Sequence, residues 1–426
     1  MTGRPRRRWV RALVVTVSVG AAVVVPTGAR APASAATRPA STPGPTTLAG
    51  TGGRGDGPGG VPAASARFDG PTGLAEDAAG DLFIADTGNC RVREVPARSG
   101  MSFGRHVVAG HIVTVAGGPC GGSGAHPEPD ALALDDAGDL FIASGPGNRV
   151  EELPGRSGES FGVRVTVGMP VTVAGTGAPG FGGDGGPADR SELDDPTGIA
   201  VDPQGDLLVA DTANCRLRLV AASDGQQYGE AVVAGDIETV AGTTTCGSGG
   251  DGGPAAEAQL WDPGALAVDA AGDVAVADQG NRSVRLLASH SASFYGVPLS
   301  AGHLGTVAGE GSYGPYLVDG LAATSQVGET DFPTGLAFDS HGDLFIADGA
   351  LHAIRLLPVA DTRVLGRPVV AGDLYLAAGA ESVGLFHNRT VWVRTRMVDP
   401  AGLVVSTGGG LTYVDSGANL VRHLPG

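Results

Sequence analysis

From residue 46 onward, apolar residues recur in short runs of four to six, separated by Gly, Asn, Asp and Pro. The run from Leu82 to Ala85 is apolar throughout, which puts Leu82 and Ile84 on one face of a strand and Phe83 and Ala85 on the other. A run of that length fits a strand buried on both sides. It is flanked by Gly-Leu-Ala (Gly73–Ala75) and by the alternating run Arg91 to Val95, with Asp-Ala-Ala-Gly and Thr-Gly-Asn turns between. Gly, Asn and Asp fit such turns because they tolerate positive φ or hydrogen-bond the turn backbone. The pattern predicts three short antiparallel strands and no long helix.

The three-strand unit is repeated. PTGLAEDAAGDLFIADTGNCRVREV begins at Pro71, and PDALALDDAGDLFIASGPGNRVEEL at Pro129. PTGIAVDPQGDLLVADTANCRLRLV begins at Pro196, PGALAVDAAGDVAVADQGNRSVRLL at Pro263 and PTGLAFDSHGDLFIADGALHAIRLL at Pro333. A degenerate sixth copy, PAGLVVSTGGGLTYVDSGANLVRHL, begins at Pro400, so the intervals are 58, 67, 67, 70 and 67 residues. A fourth strand is marked by Thr-Val-Ala-Gly at Thr114, Thr172, Thr239 and Thr306, with variants at Thr47 and Leu376. Most copies follow a hairpin arm such as Ser293–Gly305, and several precede a Gly-rich loop such as Gly180–Ala188. A period of this length, with a middle strand buried on both faces, predicts radially packed blades. The fourth-strand motif precedes every three-strand set, including the first, and none follows the last. Thr46–Ala49 is therefore expected to supply the outer strand of the last blade and close the ring. The expected fold is all-β: a six-bladed β-propeller of four-stranded antiparallel blades over residues 46–426.

The Pro-x-Gly-(Ile/Leu)-Ala-x-Asp, Gly-Asp-(Leu/Val)-x-(Ile/Val)-Ala-Asp and Asn-x-Arg-(Val/Leu)-Arg segments resemble NHL repeats. The Thr-Val-Ala-Gly and Gly-Asp-Gly-Gly-Pro-Ala elements are similar to those of bacterial exported NHL proteins and teneurin-type NHL propellers. Three positions depart from the pattern: Ser144 in place of the turn Asp, His352 in place of Asn, and Ser406 in place of the first-strand Asp.

Before the repeats, Arg4 to Arg11 form a basic stretch, Ala12–Val25 is uncharged and largely apolar, and Ala33-Ser34-Ala35 has the form of a signal-peptidase site. Residues 1–35 are read as a signal peptide and 36–45 as a linker. Fourteen apolar-leaning residues fall short of a bilayer span, so no stable membrane span is expected after cleavage. Removing residues 1–35 removes six arginines and no acids, taking the net charge from −17 to −23. A polyanion of that size is repelled by nucleic acid. All 28 basic residues are arginine, which excludes Schiff-base lysine chemistry and a P-loop lysine.

Export permits disulfides. Cys90 and Cys215 occupy the same place after the second turn, and Cys120 and Cys246 both follow a Thr-Val-Ala-Gly strand. The start of strand three and the end of antiparallel strand four lie at one end of a blade, so Cys90–Cys120 and Cys215–Cys246 are the expected pairs.

The polar groups that recur at one end of the blades are the candidate ligand site: Asp86, Asp211, Asp278, Asp348 and Asp415, with Asn89, Asn214 and Asn281 and, by the same reading, Asn148 and Asn419. The competing reading is that each Asp bonds the backbone of its own turn. Glu76 stands where other copies have Leu, Val or Phe, and joins the candidate set as the one acid on an inner strand. Arg93, Arg218, Arg285, Arg355 and Arg422 recur on the third strand, with Glu151 in the second copy, and are expected to pair with acids nearby. Asp184 and Asp251, in Gly-Asp-Gly-Gly-Pro-Ala, suggest calcium but lack the alternating acids of a calcium loop and read as flexible connectors, so no cofactor is expected. Arg54-Gly55-Asp56 lies in a similar loop. No histidine falls on an inner strand, and no Gly-x-Ser-x-Gly elbow is present. The expected function is a secreted monomeric scaffold that binds an extracellular protein or glycan. The alternative is a metal-dependent lyase or lactonase with its site at the axis.

Overall fold

The computed structural model describes residues 44–118, 120, 128–309, 333–364, 367–379, 393–406 and 408–426. Contacts divide the chain after Ala40, and every described residue belongs to the second unit, Ser41–Gly426. The signal peptide, and all but the last two residues of the linker, lie outside the described residues.

Each copy of the repeat forms one antiparallel meander. In the third blade the strands are Pro196–Val201, Leu207–Asp211, Arg216–Val220 and Asp236–Ala241, hydrogen-bonded in that order from inside to outside. The other blades begin at Leu74, Ala131, Pro263, Pro333 and Pro400 and repeat the order. In the sixth blade the fourth position is taken by Thr46–Ala49, antiparallel to Leu420–Leu424 with Thr47 opposite Arg422. The N-terminal strand thus completes the last sheet, as the phase of the two motifs predicts.

Burial follows the alternation read from the sequence. In every blade the five residues of the second strand are buried. Leu82 and Ile84 pack with Ala401, Val414 and Val421 of the sixth blade. Phe83 and Ala85 pack with Leu132, Leu140 and Ile142 of the second. Six such apolar layers lie between successive blades, including one between the last and the first, so the ring is closed by packing as well as by pairing. Fully burying each large aliphatic or aromatic side chain contributes roughly 1.5–3 kcal/mol. At the axis, Gly198 and Gly335 of the Pro-x-Gly motif lack a Cβ that would collide with the carbonyls of Gly264 and Ala401 on the neighbouring inner strands. Between the sixth and first blades the Gly402 N–H donates to the Thr72 carbonyl at 2.8 Å.

The Gly-Gly-Pro-Ala segments are not loose connectors. Gly186–Pro187 pairs with Ile237 and Asp236 at the outer edge of the third blade. Val61–Pro62 and Gly253–Pro254 do the same on the first and fourth blades. Each covers part of an edge that would otherwise be open to pairing with another chain. Five hairpin arms, one from each of the first five blades, project from the end where strand one turns into strand two. We call this end the arm face and the opposite end the turn face.

Candidate functional site

The recurring Asp, Asn and Arg meet on the turn face, but inside the protein. Asp86, Asp211, Asp278, Asp348 and Asp415 are completely buried. Asp86 accepts hydrogen bonds from the Asp69 N–H at 2.9 Å and from Asn89 Nδ2, and Arg93 Nη1 lies 3.4 Å from its second oxygen. Asp211 repeats the set with the Asp194 N–H, Asn214 and Arg218, and Asp278 with the Trp261 N–H, Asn281 and Arg285. Asp415 accepts from the Val398 N–H and faces Arg422 at 3.5 Å. Asp348 accepts from Leu351 of its own turn and faces Arg355 at 3.2 Å. In four of the five, then, the carboxylate holds the strand-entry segment seventeen residues earlier; Asp348 accepts a backbone N–H of its own turn, and Asp86, Asp211 and Asp278 also accept from the asparagine of theirs. Burial raises the pKa of Asp86 and Asp211, and pushes Asp278 up to about 6, although the hydrogen bonds and arginines oppose it.

The arginines are sandwiched. Arg218 Nη2 meets Asp184 at 2.6 Å and Arg285 Nη2 meets Asp251 at 2.6 Å, so the aspartates of the Gly-Asp-Gly-Gly loops are ion-pair partners. Asp56 is their counterpart in the first blade, paired with Arg91 and 4.0 Å from Arg93. The Arg54-Gly55-Asp56 tripeptide is therefore tied down, with Arg54 bound to Asp69 at 2.5 Å. The second blade has lost both charges together: Ser144 replaces Asp and Glu151 replaces Arg, and Glu151 pairs with Arg149 instead.

Alignment by backbone corrects the asparagine set. Asn89, Asn214 and Asn281 are equivalent, but Asn148, His352 and Asn419 sit one place later, at the left-handed position that Cys90 and Cys215 hold (φ +49° to +57°). From there Asn148 accepts from the Asp195 N–H, His352 from the Asp399 N–H and Asn419 from the Gly70 N–H, each in the next blade. In the first and third blades that position is spent on a disulfide: Cys90–Cys120 and Cys215–Cys246 are both formed, with Cα atoms 5.4 Å apart.

Glu76 is half-buried at the arm-face end of the first inner strand, and its pKa is raised by burial and then by Asp77. By register its equivalents are Leu134, Val201, Val268, Phe338 and Val405. Among the described residues no three His, Cys, Asp or Glu side chains come together as a metal centre requires.

What the turn face offers to solvent is a different set that the motif reading missed. Asp195, Asp262 and Asp399 precede the inner-strand prolines at positive φ (+56°, +48° and +65°). Asp195 is exposed, and its pKa is raised by burial first, then by Asp194 and Asp262. Asp130, where other blades have Thr, Gly or Ala, is pushed up to about 7 by burial and then by Asp195 and Glu128. Trp261 is 49% exposed although its N–H and carbonyl are both pinned to the fourth-blade turn, and its ring lies against Gly280, where a Cβ would collide with it. A signal existed: Trp261 stands where other copies have Asp, Pro or Val, and Asp130 where they have Thr, Gly or Ala, while Asp195, Asp262 and Asp399 share the place before the inner-strand proline.

Among the described residues no helix is long and apolar enough to cross a membrane. The NHL repeat family matches residues 193–218, which run from the entry to the third blade through Arg218. No curated protein matches the chain in sequence. Among solved structures, the chain is similar to a protein of unknown function from Bacteroides thetaiotaomicron (TM-score 0.57, 16% identity, covering 90% of this chain and 75% of that one). It is also similar to auxiliary nutrient binding proteins from B. thetaiotaomicron (TM-score 0.55, 12% identity, 89% and 75%) and Bacteroides ovatus (TM-score 0.55, 12% identity, 89% and 76%). At these identities the likeness is one of fold. The chain is a six-bladed β-propeller closed by its own N-terminal strand, and its third blade carries an NHL repeat.

Proposed function

We propose that this propeller is an exported, monomeric binding scaffold that engages an extracellular protein or glycan with the turn face around its axis. The observation that carries this reading is the division of labour on that face. The repeated Asp, Asn and Arg groups are consumed in internal hydrogen bonds and ion pairs, while Asp195 and Trp261 are presented outward. A half-exposed indole held by its backbone offers a flat apolar surface at little entropic cost, and carboxylates beside it accept hydrogen bonds from hydroxyl or N–H donors. Two disulfides suit an oxidising compartment, and with the basic and apolar N-terminal stretch they support export. Two of the similar structures carry the name auxiliary nutrient binding protein, in keeping with a binding role.

A metal-dependent lyase or lactonase at the axis would need donors gathered round Glu76, whose five register mates are all apolar. The direct test is a glycan array and a panel of purified cell-envelope proteins, each probed with the exported chain and with Trp261→Ala. A ligand held by the wild type and lost by the variant supports the reading. Equal binding by both, or none by either, overturns it.

A further inference from the structure

In four junctions between blades, the segment leading into the next inner strand sets a large apolar residue in the interblade layer, three residues before the inner-strand proline. These residues are Phe68, Leu193, Leu260 and Met397. Leu193 clusters with Val150 and Ala174 of the second blade and Val209 of the third. Between the first and second blades the corresponding wall is Val92, Ala116 and Ile142, and among the described residues no member of the entry segment joins their cluster. With Pro129 these three line a groove holding about 260 Å³ of empty space up to its open mouth. Ala116 and Ile142 keep 7% and 6% exposure, whereas Ala174 and Val209, and Ala241 and Val276, keep none. The socket is formed but not filled by these residues.

The unfilled socket goes with a wider loss. Pro129 follows Gly117 by 12 residues where Pro196 follows Gly175 by 21, so the shortening of this repeat falls on the entry segment. On the third and fourth blades that segment also supplies a short edge strand. Nine residues before the apolar plug it carries Asp184 or Asp251, which meets Arg218 or Arg285 at 2.6 Å. On the second blade, Val171–Ala174 has no covering strand among the described residues, and Glu151, at the border of the socket, stands in place of the arginine. The edge itself is blunted. Ile237 turns its carbonyl to the covering segment, but its counterpart Pro170 has no N–H to give an added strand. The socket, rather than the edge, offers the grip.

We propose that this socket receives one large apolar side chain, Leu, Met or Phe, from an extended segment of a partner protein, with a basic residue of that segment set against Glu151. The sister junctions identify the chemistry of the occupant, because they show what the same wall holds when the chain supplies it. Charge selects the sign of the second contact. Where the internal segment sets Asp184 against Arg218, the reversed residue Glu151, already paired with Arg149 at 2.8 Å, shares its carboxylate with a second cation. The net charge of −17 favours a basic partner in the same direction. The socket is separate from Trp261, at the entry to the fourth blade, and does not rest on the reading given above for that residue.

The probe is a fluorescein-labelled, amidated peptide copying Gly182–Leu193 with Asp184→Lys, titrated with the full chain and followed by fluorescence anisotropy. Saturable binding is expected, weakened at least tenfold when the peptide carries Leu193→Ala, and at least tenfold by Ala116→Leu in the chain, which fills the socket. Glu151→Arg reverses the preference, so that the peptide with Asp184 binds more tightly than the one with lysine. Trp261→Ala leaves the affinity unchanged. The proposal is overturned if the lysine peptide does not saturate at millimolar concentration, if affinity survives either apolar substitution, if Glu151→Arg leaves the preference as it was, or if Trp261→Ala abolishes binding. His126, three residues before Pro129, lies outside the described residues. Binding that appears only after His126→Ala would make the chain's own loop the occupant, and a dimer in sedimentation that Ala116→Leu dissociates would make it a second copy; either result overturns the proposal.

Discussion

Replacing Arg218 by methionine keeps most of the side-chain volume but removes the guanidinium that faces Asp211 at 3.4 Å. Asp211 has no exposed surface, so its carboxylate stays buried without its counter-ion. Breaking a buried pair in this way costs about 3–5 kcal/mol. Asp211→Asn is milder, about 1–3 kcal/mol, because Arg218 keeps Asp184 at 2.6 Å and carbonyls of the covering loop. In the double variant neither buried charge is left, and Asp184, 36% exposed, turns to water. The double variant is therefore expected to lose at least about 2 kcal/mol less than the sum of the singles, a coupling typical of contacting residues. The second blade, where Ser144 and Glu151 replace both partners, shows that the fold tolerates joint loss.

The pH dependence has a definite sign. Burial already raises the Asp211 pKa in the folded state, and Arg218 is one of the influences that lower it. Without Arg218 it rises further. A carboxyl with a raised folded pKa favours the folded state while protonated and loses that advantage as pH rises through the folded value. The Arg218→Met deficit should thus be largest near pH 8 and shrink towards pH 5. Guanidinium unfolding followed by circular dichroism at both pH values measures it. A deficit below about 1 kcal/mol at pH 8, or additivity within about 0.5 kcal/mol, would refute the reasoning.

Further outcomes are expected. Cys215→Ser with Cys246→Ser opens a 31-residue separation and should cost about 3–4 kcal/mol in the same unfolding assay. Glu94→Leu with Glu152→Leu should stabilise the protein at pH 8 and lose that effect near pH 5. Both carboxyls are pushed from 4.5 to about 7 by burial, so their ionisation opposes folding above that range by up to about 3 kcal/mol each. Unchanged stability across that range would contradict their burial. Gly198→Ala should destabilise by about 1–3 kcal/mol or more, because its Cβ meets the Gly264 carbonyl on the next inner strand; a neutral result in thermal unfolding would mean that the axis is looser than described.

The blade number, the strand order and both disulfides were legible because each follows from periodicity and register, which are properties of local sequence. The closing strand was legible for the same reason, as a motif with one copy out of phase. The fate of the turn-face polar groups was not. Whether Asp86 faces water or Arg93 depends on coverage by a loop some thirty residues away in sequence, which no spacing rule reports. Asn148, His352 and Asn419 were grouped with Asn89 by residue type, whereas their role follows from a left-handed backbone position one residue later. Glu94 and Glu152 did leave a trace, as acids where three other copies have leucine, but the alternation of the third strand does not say which parity is buried. Trp261 lies against the backbone of Gly280, nineteen residues on, which is again a tertiary fact.

The central claim is that the two ends of the chain complete one blade and so close the ring. Hydrogen exchange at residues 46–49 and 420–424 tests it most directly. Closure predicts that interstrand amides of both segments are protected together and as strongly as those of Leu411–Asp415, because they belong to one sheet. Exchange of residues 46–49 at the rate of an unstructured peptide, with protection kept in Leu411–Asp415, would show an open sixth blade.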